Sequence, residues 1–285
     1  VTTQIKIQEN SIALYCRGKK MYKIGIIGCG FVGKAVAAGF SLHVESVKMY
    51  DRYIEGYDSF DDTAKLSDYL FICIPTPTRK DGTQDLTELL EVINQIDRCS
   101  PESKIIVIKS TVLPGTTRGF SKKWPRHMFV FNPEFLSARI ARLDFINPSR
   151  IILGGEWNWG VRYVADLYHH RFGEKAPIFC VDWETAELVK YVANAFFATK
   201  IAFCNTMYEV AKKLDVDYSE VKDLWLLDGK VANSHCDVPG HDGKFGYGGK
   251  CFPKDLRAFM HFIQSDLGLD CDILESTRIW ERTSG

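Results

Sequence analysis

The sequence predicts an α/β protein in which a doubly wound parallel sheet is followed by a mostly helical domain. Three observations carry this. Short β-branched runs alternate with helical patterns from about residue 21 to residue 182. A glycine-rich turn, Gly28-Cys29-Gly30-Phe31-Val32-Gly33, follows the first run and opens a helix. After Asp182 the strand-like runs stop. Alternation of strand and helix along a chain is the pattern of a parallel sheet with helices on both faces.

In chain order the predicted strands are 23–27, 47–50, 69–74, 104–108, 129–131, 150–153 and 178–181. Several are apolar nearly throughout, as expected of strands buried on both sides. From 184 to about 214 the chain has neither Gly nor Pro, which predicts one long helix. Shorter helices are expected over 218–227, 254–265 and 273–282, with a glycine-rich stretch at 239–251 between them. At 285 residues the chain has the length of about two domains. The predicted organisation is an N-terminal extension at 1–20, a sheet domain at 21–182 and a helical domain at 183–285.

Composition excludes several classes. Lys plus Arg number 36, as do Asp plus Glu, so no single-sign field favours nucleic acid or an acidic membrane. No apolar run approaches the length of a membrane span, and the first twenty residues lack the order of a signal peptide. The nine cysteines are scattered and form no CxxC pair, so no metal site is expected. Cys73 and Cys180 sit in apolar runs and read as small buried hydrophobes. This cysteine usage predicts a reducing, cytoplasmic compartment.

The glycine turn points to a dinucleotide. Gly28 permits the tight turn, Gly30 lets backbone approach a pyrophosphate, and Gly33 permits close helix–sheet packing. Phe31 and Val32 open the helix, whose first N–H groups and dipole favour an anion. Asp51 ends the next strand eighteen residues after Gly33, near the spacing of a carboxylate that bonds a ribose 2′-hydroxyl. That acid favours NAD over its 2′-phosphorylated form. The sheet domain is therefore read as Rossmann-type.

A second set of residues suggests covalent chemistry. Gly246-Tyr247-Gly248-Gly249-Lys250-Cys251 runs into Phe252-Pro253-Lys254-Asp255. Pro253 suits a first helical turn, so Cys251 should precede a helix start, where the dipole, Lys250 and Lys254 favour a thiolate. Asp255 lies four residues on, and Lys190 and Asn194 are also four apart, a spacing that places each pair on one helix face. An ammonium and an amide on one face can stabilise an oxyanion. Three further stretches end predicted strands, where open α/β sheets bind ligands: Ile74-Pro75-Thr76-Pro77, the run from Ser110 and Thr111 to Thr116, and Asn132-Pro133-Glu134-Phe135-Leu136.

Together these motifs resemble the nucleotide-sugar dehydrogenases, most closely the UDP-glucose dehydrogenases, from about Lys23 to Arg282. The resemblance implies a 6-phosphogluconate-dehydrogenase-like helical domain, NAD as cofactor and a nucleotide sugar as substrate. It implies a C6 alcohol oxidised twice, through an aldehyde and a Cys251 thioester. In that scheme Cys251 is the nucleophile and Lys190 and Asn194 are oxyanion donors. Asp255 partners a water that serves as base, Thr111 helps place that water and the cofactor, and Glu134 serves thioester hydrolysis. Pro75, Thr76 and Thr111 join the cofactor set. Glu134, Phe135, Leu136, Lys190, Asn194, Phe245, Tyr247 and Gly248 form the substrate set. Members commonly carry a second acid four residues after Glu134; here Ala138 stands there. The family's long helix forms a dimer, so a homodimer is expected. A third, nucleotide-holding domain would begin close to Gly285, so the chain reads as a short form or a fragment. Two alternatives stand beside this reading: a β-hydroxyacid dehydrogenase, which needs no nucleophilic cysteine, and a non-catalytic protein that binds NAD or a nucleotide sugar.

Overall fold

The computed structural model describes residues 22–156 and 159–282; the extension expected at 1–20 lies outside the described residues. Seven strands form one sheet: β1 (Lys23–Ile27), β2 (Ser46–Tyr50), β3 (Tyr69–Ile72), β4 (Ile105–Ile108), β5 (Met128–Phe131), β6 (Ile151–Gly154) and β7 (Ile178–Val181). Their order is β2-β1-β3-β4-β5-β6-β7. The chain leaves β1 on one side to form β2 and returns on the other to form β3. That reversal opens a crevice at the carboxyl ends of β1 and β3, the place where such sheets bind ligands.

Strand pairing is parallel from β2 through β5 and again between β6 and β7. The parallel sheet expected from the sequence is present, with one pairing of the other kind: β5 and β6 pair antiparallel, Phe131 opposite Gly154. The link between them holds only the six-residue helix α5 (Ala141–Ile146), about 9 Å long. The single bridge joins the last residues of the two strands, so they meet at their carboxyl ends.

Both faces of the sheet are covered, and alternate residues divide between them. Ile24, Ile26, Phe71, Val107 and Val130 pack on one side with Val36 and Phe40 of α1 (Phe31–Phe40) and with α6 (Trp159–Phe172). Ile27, Leu70, Ile72, Ile106 and Ile108 pack on the other with α2 (Phe60–Lys65), α3 (Thr87–Cys99) and α4 (Thr116–Lys123). This two-sided burial explains why the central strands are apolar without alternation.

The long helix is α7 (Trp183–Lys213). The chain divides into two compact units, and the division falls inside this helix. One unit holds residues up to Thr76 with Leu86–Lys190; the other holds Pro77–Asp85 and the chain from Tyr191 onward. The second unit contains α8 (Tyr218–Leu226), capped by the Asp217 carboxylate on the Ser219 N–H at 2.8 Å. It also contains α9 (Phe252–His261), which continues as a π-helical turn, Phe262–Asp266, and α10 (Asp272–Thr277). Tyr191 stacks on Phe259 with ring centroids 5.2 Å apart. The segment Pro77–Asp85 folds as a small hairpin closed by a Thr78–Gln84 bridge. Thr78 Oγ1 donates to the Lys254 carbonyl at 2.8 Å and Gln84 Nε2 to the Tyr191 hydroxyl at 3.1 Å. No helix among the described residues is long and apolar enough to cross a membrane.

Candidate active site

The glycine turn is built as an anion cradle. Gly28 has φ +96° and its N–H donates to the Tyr50 carbonyl at 2.9 Å. A Cβ at Gly33 would run into the Gly28 carbonyl oxygen, whereas the space around Gly30 is open. Gly30 and Phe31 are exposed at the start of the ten-residue α1, and Val32 is half-buried. Asp51 closes the cradle. One carboxylate oxygen accepts the Cys29 N–H at 2.7 Å, and the other accepts those of Tyr53 and Ile54 at 2.9 and 3.1 Å. A carboxylate offers about four acceptor positions, so one remains for a ribose hydroxyl. These residues fit a dinucleotide, with backbone N–H groups for the pyrophosphate and an acid for the ribose. Beside them Thr76, buried, donates its hydroxyl to the Thr111 carbonyl at 2.6 Å, which ties the ends of β3 and β4 together. Pro75 next to it is exposed. Burial, then the Asp51 charge, pushes the Cys29 thiol up to about 11, so it stays neutral in the turn.

The same unit holds a buried ion pair. Lys190 donates to Glu134 Oε1 at 2.9 Å and to the Glu134 carbonyl at 2.7 Å, and both side chains are under a tenth exposed. Glu134 Oε2 accepts the Leu136 N–H at 2.9 Å. Burial alone would raise the Glu134 carboxyl. The Lys190 charge and hydrogen bond, the Leu136 N–H and the charge of Lys109 outweigh it and hold the carboxyl below its ordinary value. Phe135 lies between two cations, 4.5 Å from the Arg150 guanidinium and 5.6 Å from the Lys190 ammonium. Lys190 has three donors; two are taken by Glu134, which leaves one for an oxyanion. Ala138 is exposed at this loop.

The second unit holds the thiol. Cys251 is the N-cap of α9, half-buried, with Pro253 in the first turn. Its carbonyl accepts the Asp255 N–H at 2.9 Å, so the helix begins at the cysteine, as the sequence predicts. Asp255 is 2% exposed and accepts from Asn194 Nδ2 at 2.6 Å and from Lys254 Nζ at 2.5 Å. Lys254 thus neutralises Asp255, while Lys250 is exposed. The loop before Cys251 is clamped from the C-terminal side. Tyr247 pairs with Glu281 as in a parallel strand, and Arg282 donates to the Gly246 carbonyl at 2.7 and 3.1 Å. Gly246 has φ +70°, its N–H donates to Asn205 Oδ1 at 2.8 Å, and a Cβ there would strike the Trp280 carbonyl oxygen. Tyr247 is 1% exposed; its side chain belongs to the interior, so only its backbone is presented. Phe245 is exposed and packs on Tyr208 at 5.2 Å. Gly248 is half-buried against the Arg282 side chain.

The roles of two residues, Glu187 and Lys109, escaped the sequence reading. Glu187, wholly buried, accepts the N–H groups of Gly115 and Thr117 at 2.6 and 2.9 Å and so caps α4 from a distance. Lys109 is buried at the end of β4, and Asn132 holds it. Their signal is weak: a charged or amide residue at the end of an apolar strand, and an acid on a helix. Among the described residues no cluster of His, Cys, Asp or Glu could hold a metal ion.

Comparison with known proteins bears on this arrangement. Residues 52–171 match the NAD binding domain of the UDP-glucose/GDP-mannose dehydrogenase family, and residues 184–281 match its central domain. The UDP-glucose 6-dehydrogenase of Rickettsia prowazekii is 31% identical over 240 residues, which is 83% of this chain and 52% of the relative. The chain therefore spans about half the length of that curated relative. A UDP-glucose dehydrogenase structure from Pyrobaculum islandicum is 30% identical with a TM-score of 0.81, covering 92% of this chain and 68% of that one. A 3-hydroxyisobutyrate dehydrogenase of Mycobacterium tuberculosis is similar in fold alone, with 15% identity, a TM-score of 0.74, and coverage of 92% of this chain and 93% of that one. The present chain has a seven-stranded, mostly parallel sheet followed by helices, its sheet domain is an NAD-binding one, and it belongs to the UDP-glucose/GDP-mannose dehydrogenase family.

Proposed function

We propose that this chain oxidises the C6 alcohol of a nucleotide sugar to the acid, with UDP-glucose as substrate and Cys251 as nucleophile. The observation that carries the reading is the thiol at the N-cap of α9 behind a glycine loop clamped by Gly246 and Arg282. A β-hydroxyacid dehydrogenase has no use for such a thiol. NAD, held by the glycine turn and Asp51, would supply the hydride acceptor for each of the two oxidations, one NAD for the alcohol and a second for the Cys251 thiohemiacetal that becomes the thioester. Thr76 and Thr111 shape that site, and Gly30 leaves room for the pyrophosphate.

The residues divide the remaining work. The Cys251 sulfur adds to the C6 aldehyde carbon, and covalent capture keeps a reactive aldehyde from escaping. The remaining ammonium proton donor of Lys190 and the second amide hydrogen of Asn194 stabilise the developing oxyanion. Asp255 orients a water as proton acceptor. Glu134, kept anionic by its neighbours, aims the water that cleaves the thioester. Phe135, Leu136, Phe245 and the backbone of Tyr247 and Gly248 contact the sugar nucleotide. Leu188, Val192, Phe196, Phe203 and Val210 form an exposed apolar stripe along α7, which supports a homodimer joined through that helix. The cysteine usage supports a cytoplasmic location.

The test is purified chain with NAD and a panel of nucleotide sugars, counting NADH formed per sugar. Two per UDP-glucose, lost in Cys251→Ala while NAD still binds, is the expected result. One per sugar means oxidation stops at the aldehyde and removes the role of Cys251; turnover of a β-hydroxyacid but of no sugar favours the β-hydroxyacid reading, and turnover of neither favours a binding protein. Sedimentation of wild type and Phe196→Glu tests the dimer, which the charge should split.

A further inference from the structure

A second buried lysine stands behind Glu134. Lys109 directly follows β4 and is 5% exposed. Its ammonium donates to Asn132 Oδ1 at 2.9 Å and to the Asn132 carbonyl at 3.3 Å. Asn132 is fixed on its other sides too: Nδ2 donates to the Ile152 carbonyl at 2.8 Å, and Oδ1 also accepts the Tyr168 hydroxyl at 2.6 Å. Asn132 opens the run Asn132-Pro133-Glu134, so the lysine is tied two residues upstream of the carboxylate. Lys109, Asn132, Glu134 and Tyr168 line one cavity of about 300 Å³.

The charge on Lys109 needs an explanation. Satisfying Asn132 Oδ1 does not require a cation, because Tyr168 already donates to it. Burying an ammonium without a counter-ion is costly. Glu134 is the anion within its electrostatic reach, and each acts on the other. We propose that Lys109 is a positioning residue of the site: together with Lys190 it keeps Glu134 anionic, and through Asn132 it holds the start of the Glu134 loop in place.

This inference rests on the reading of Glu134 as the hydrolytic carboxylate. The other charged and titratable groups around the pair are Lys190 on α7 and Cys73 after β3, with Tyr168 on α6 behind Asn132 and Asp144 and Arg150 farther along the cavity. Burial pushes the Cys73 thiol up to about 12, and it raises the Tyr168 hydroxyl as well, so both stay neutral. Burial brings Lys109 down to about 8. Lys109 is therefore a cation at neutral pH and loses its charge in mildly alkaline solution.

The experiment titrates Glu134 itself, by NMR of the full chain labelled with ¹³C at the glutamate carboxyls, with Glu134→Gln assigning the signal. Lys109→Met keeps the volume and removes the charge. It should raise the Glu134 midpoint by about one pH unit, a tenfold change in its protonation constant. An unchanged midpoint in folded Lys109→Met overturns the proposal. Wild type offers a check that needs no variant: the Glu134 signal should show a second inflection near pH 8 as Lys109 deprotonates, and a flat signal there also overturns it. Turnover separates this from the functional reading. The ratio of wild-type to Lys109→Met acid formation should be largest in mild acid, where the variant's Glu134 takes up a proton first, and fall toward one at neutral pH. Chain that oxidises no nucleotide sugar sinks the assigned reaction, while the titration still decides whether Lys109 governs Glu134.

Discussion

Replacing Glu187 with Gln should make the protein more stable in mild alkali than in acid, relative to wild type. The Glu187 side chain is 0% exposed and receives the N–H groups of Gly115 and Thr117. Burial nonetheless dominates those hydrogen bonds and raises its carboxyl to about 7. In the unfolded chain a glutamate titrates near ~4.3. Below that value both states hold the proton and the group costs nothing. Between ~4.3 and about 7 the native state keeps a proton that the unfolded chain has released, so stability falls as pH rises. Above that window the full loss is present, about 3–4 kcal/mol. Gln keeps an acceptor oxygen but does not titrate. The stability of Glu187→Gln relative to wild type should thus improve by about 2.5 kcal/mol between pH 5 and pH 8. Urea unfolding of both proteins at the two pH values measures this. A stability difference that is the same at pH 5 and pH 8 refutes the reasoning.

Lys190→Met leaves Glu134 buried beside one cation fewer. Stability at neutral pH should drop by about 3–5 kcal/mol and recover as acid protonates the carboxylate, which pH-resolved thermal melts will register. Asp51→Ala removes the acceptor beside the glycine turn; NAD binding should weaken and preference over the 2′-phosphorylated cofactor should shrink, as calorimetry can read. Gly246→Ala places a Cβ against the Trp280 carbonyl at a positive φ; proteolysis should reach the 239–251 loop faster than in wild type. A mild thiol reagent should modify Cys251 before Cys73 or Cys180. Both of those are half-buried against the core, and that burial pushes their thiols up to about 12 and about 11, which keeps them neutral. Mass spectrometry ranks the three sites.

Backbone and local motifs were legible in the sequence because their causes are local. The predicted strand 23–27 matches β1, and 178–181 matches β7, because β-branched runs between breakers have few other uses. Gly28 and Gly33 declare a tight turn since no other residue fits there, and Pro253 marks the start of α9 behind Cys251. Even so, only the tertiary structure shows that Pro77–Asp85 folds with the helical unit and that β6 runs antiparallel to β5. It also decides which charges meet. Helical spacing joined Lys190 to Asn194, yet Lys190 bonds Glu134, 56 residues away, and Asn194 bonds Asp255, 61 residues away. The roles of Lys109 and Glu187 were invisible for the same reason. A lysine or glutamate in a sequence is solvated by default, and only packing reveals that water has been replaced by a distant amide or carboxylate.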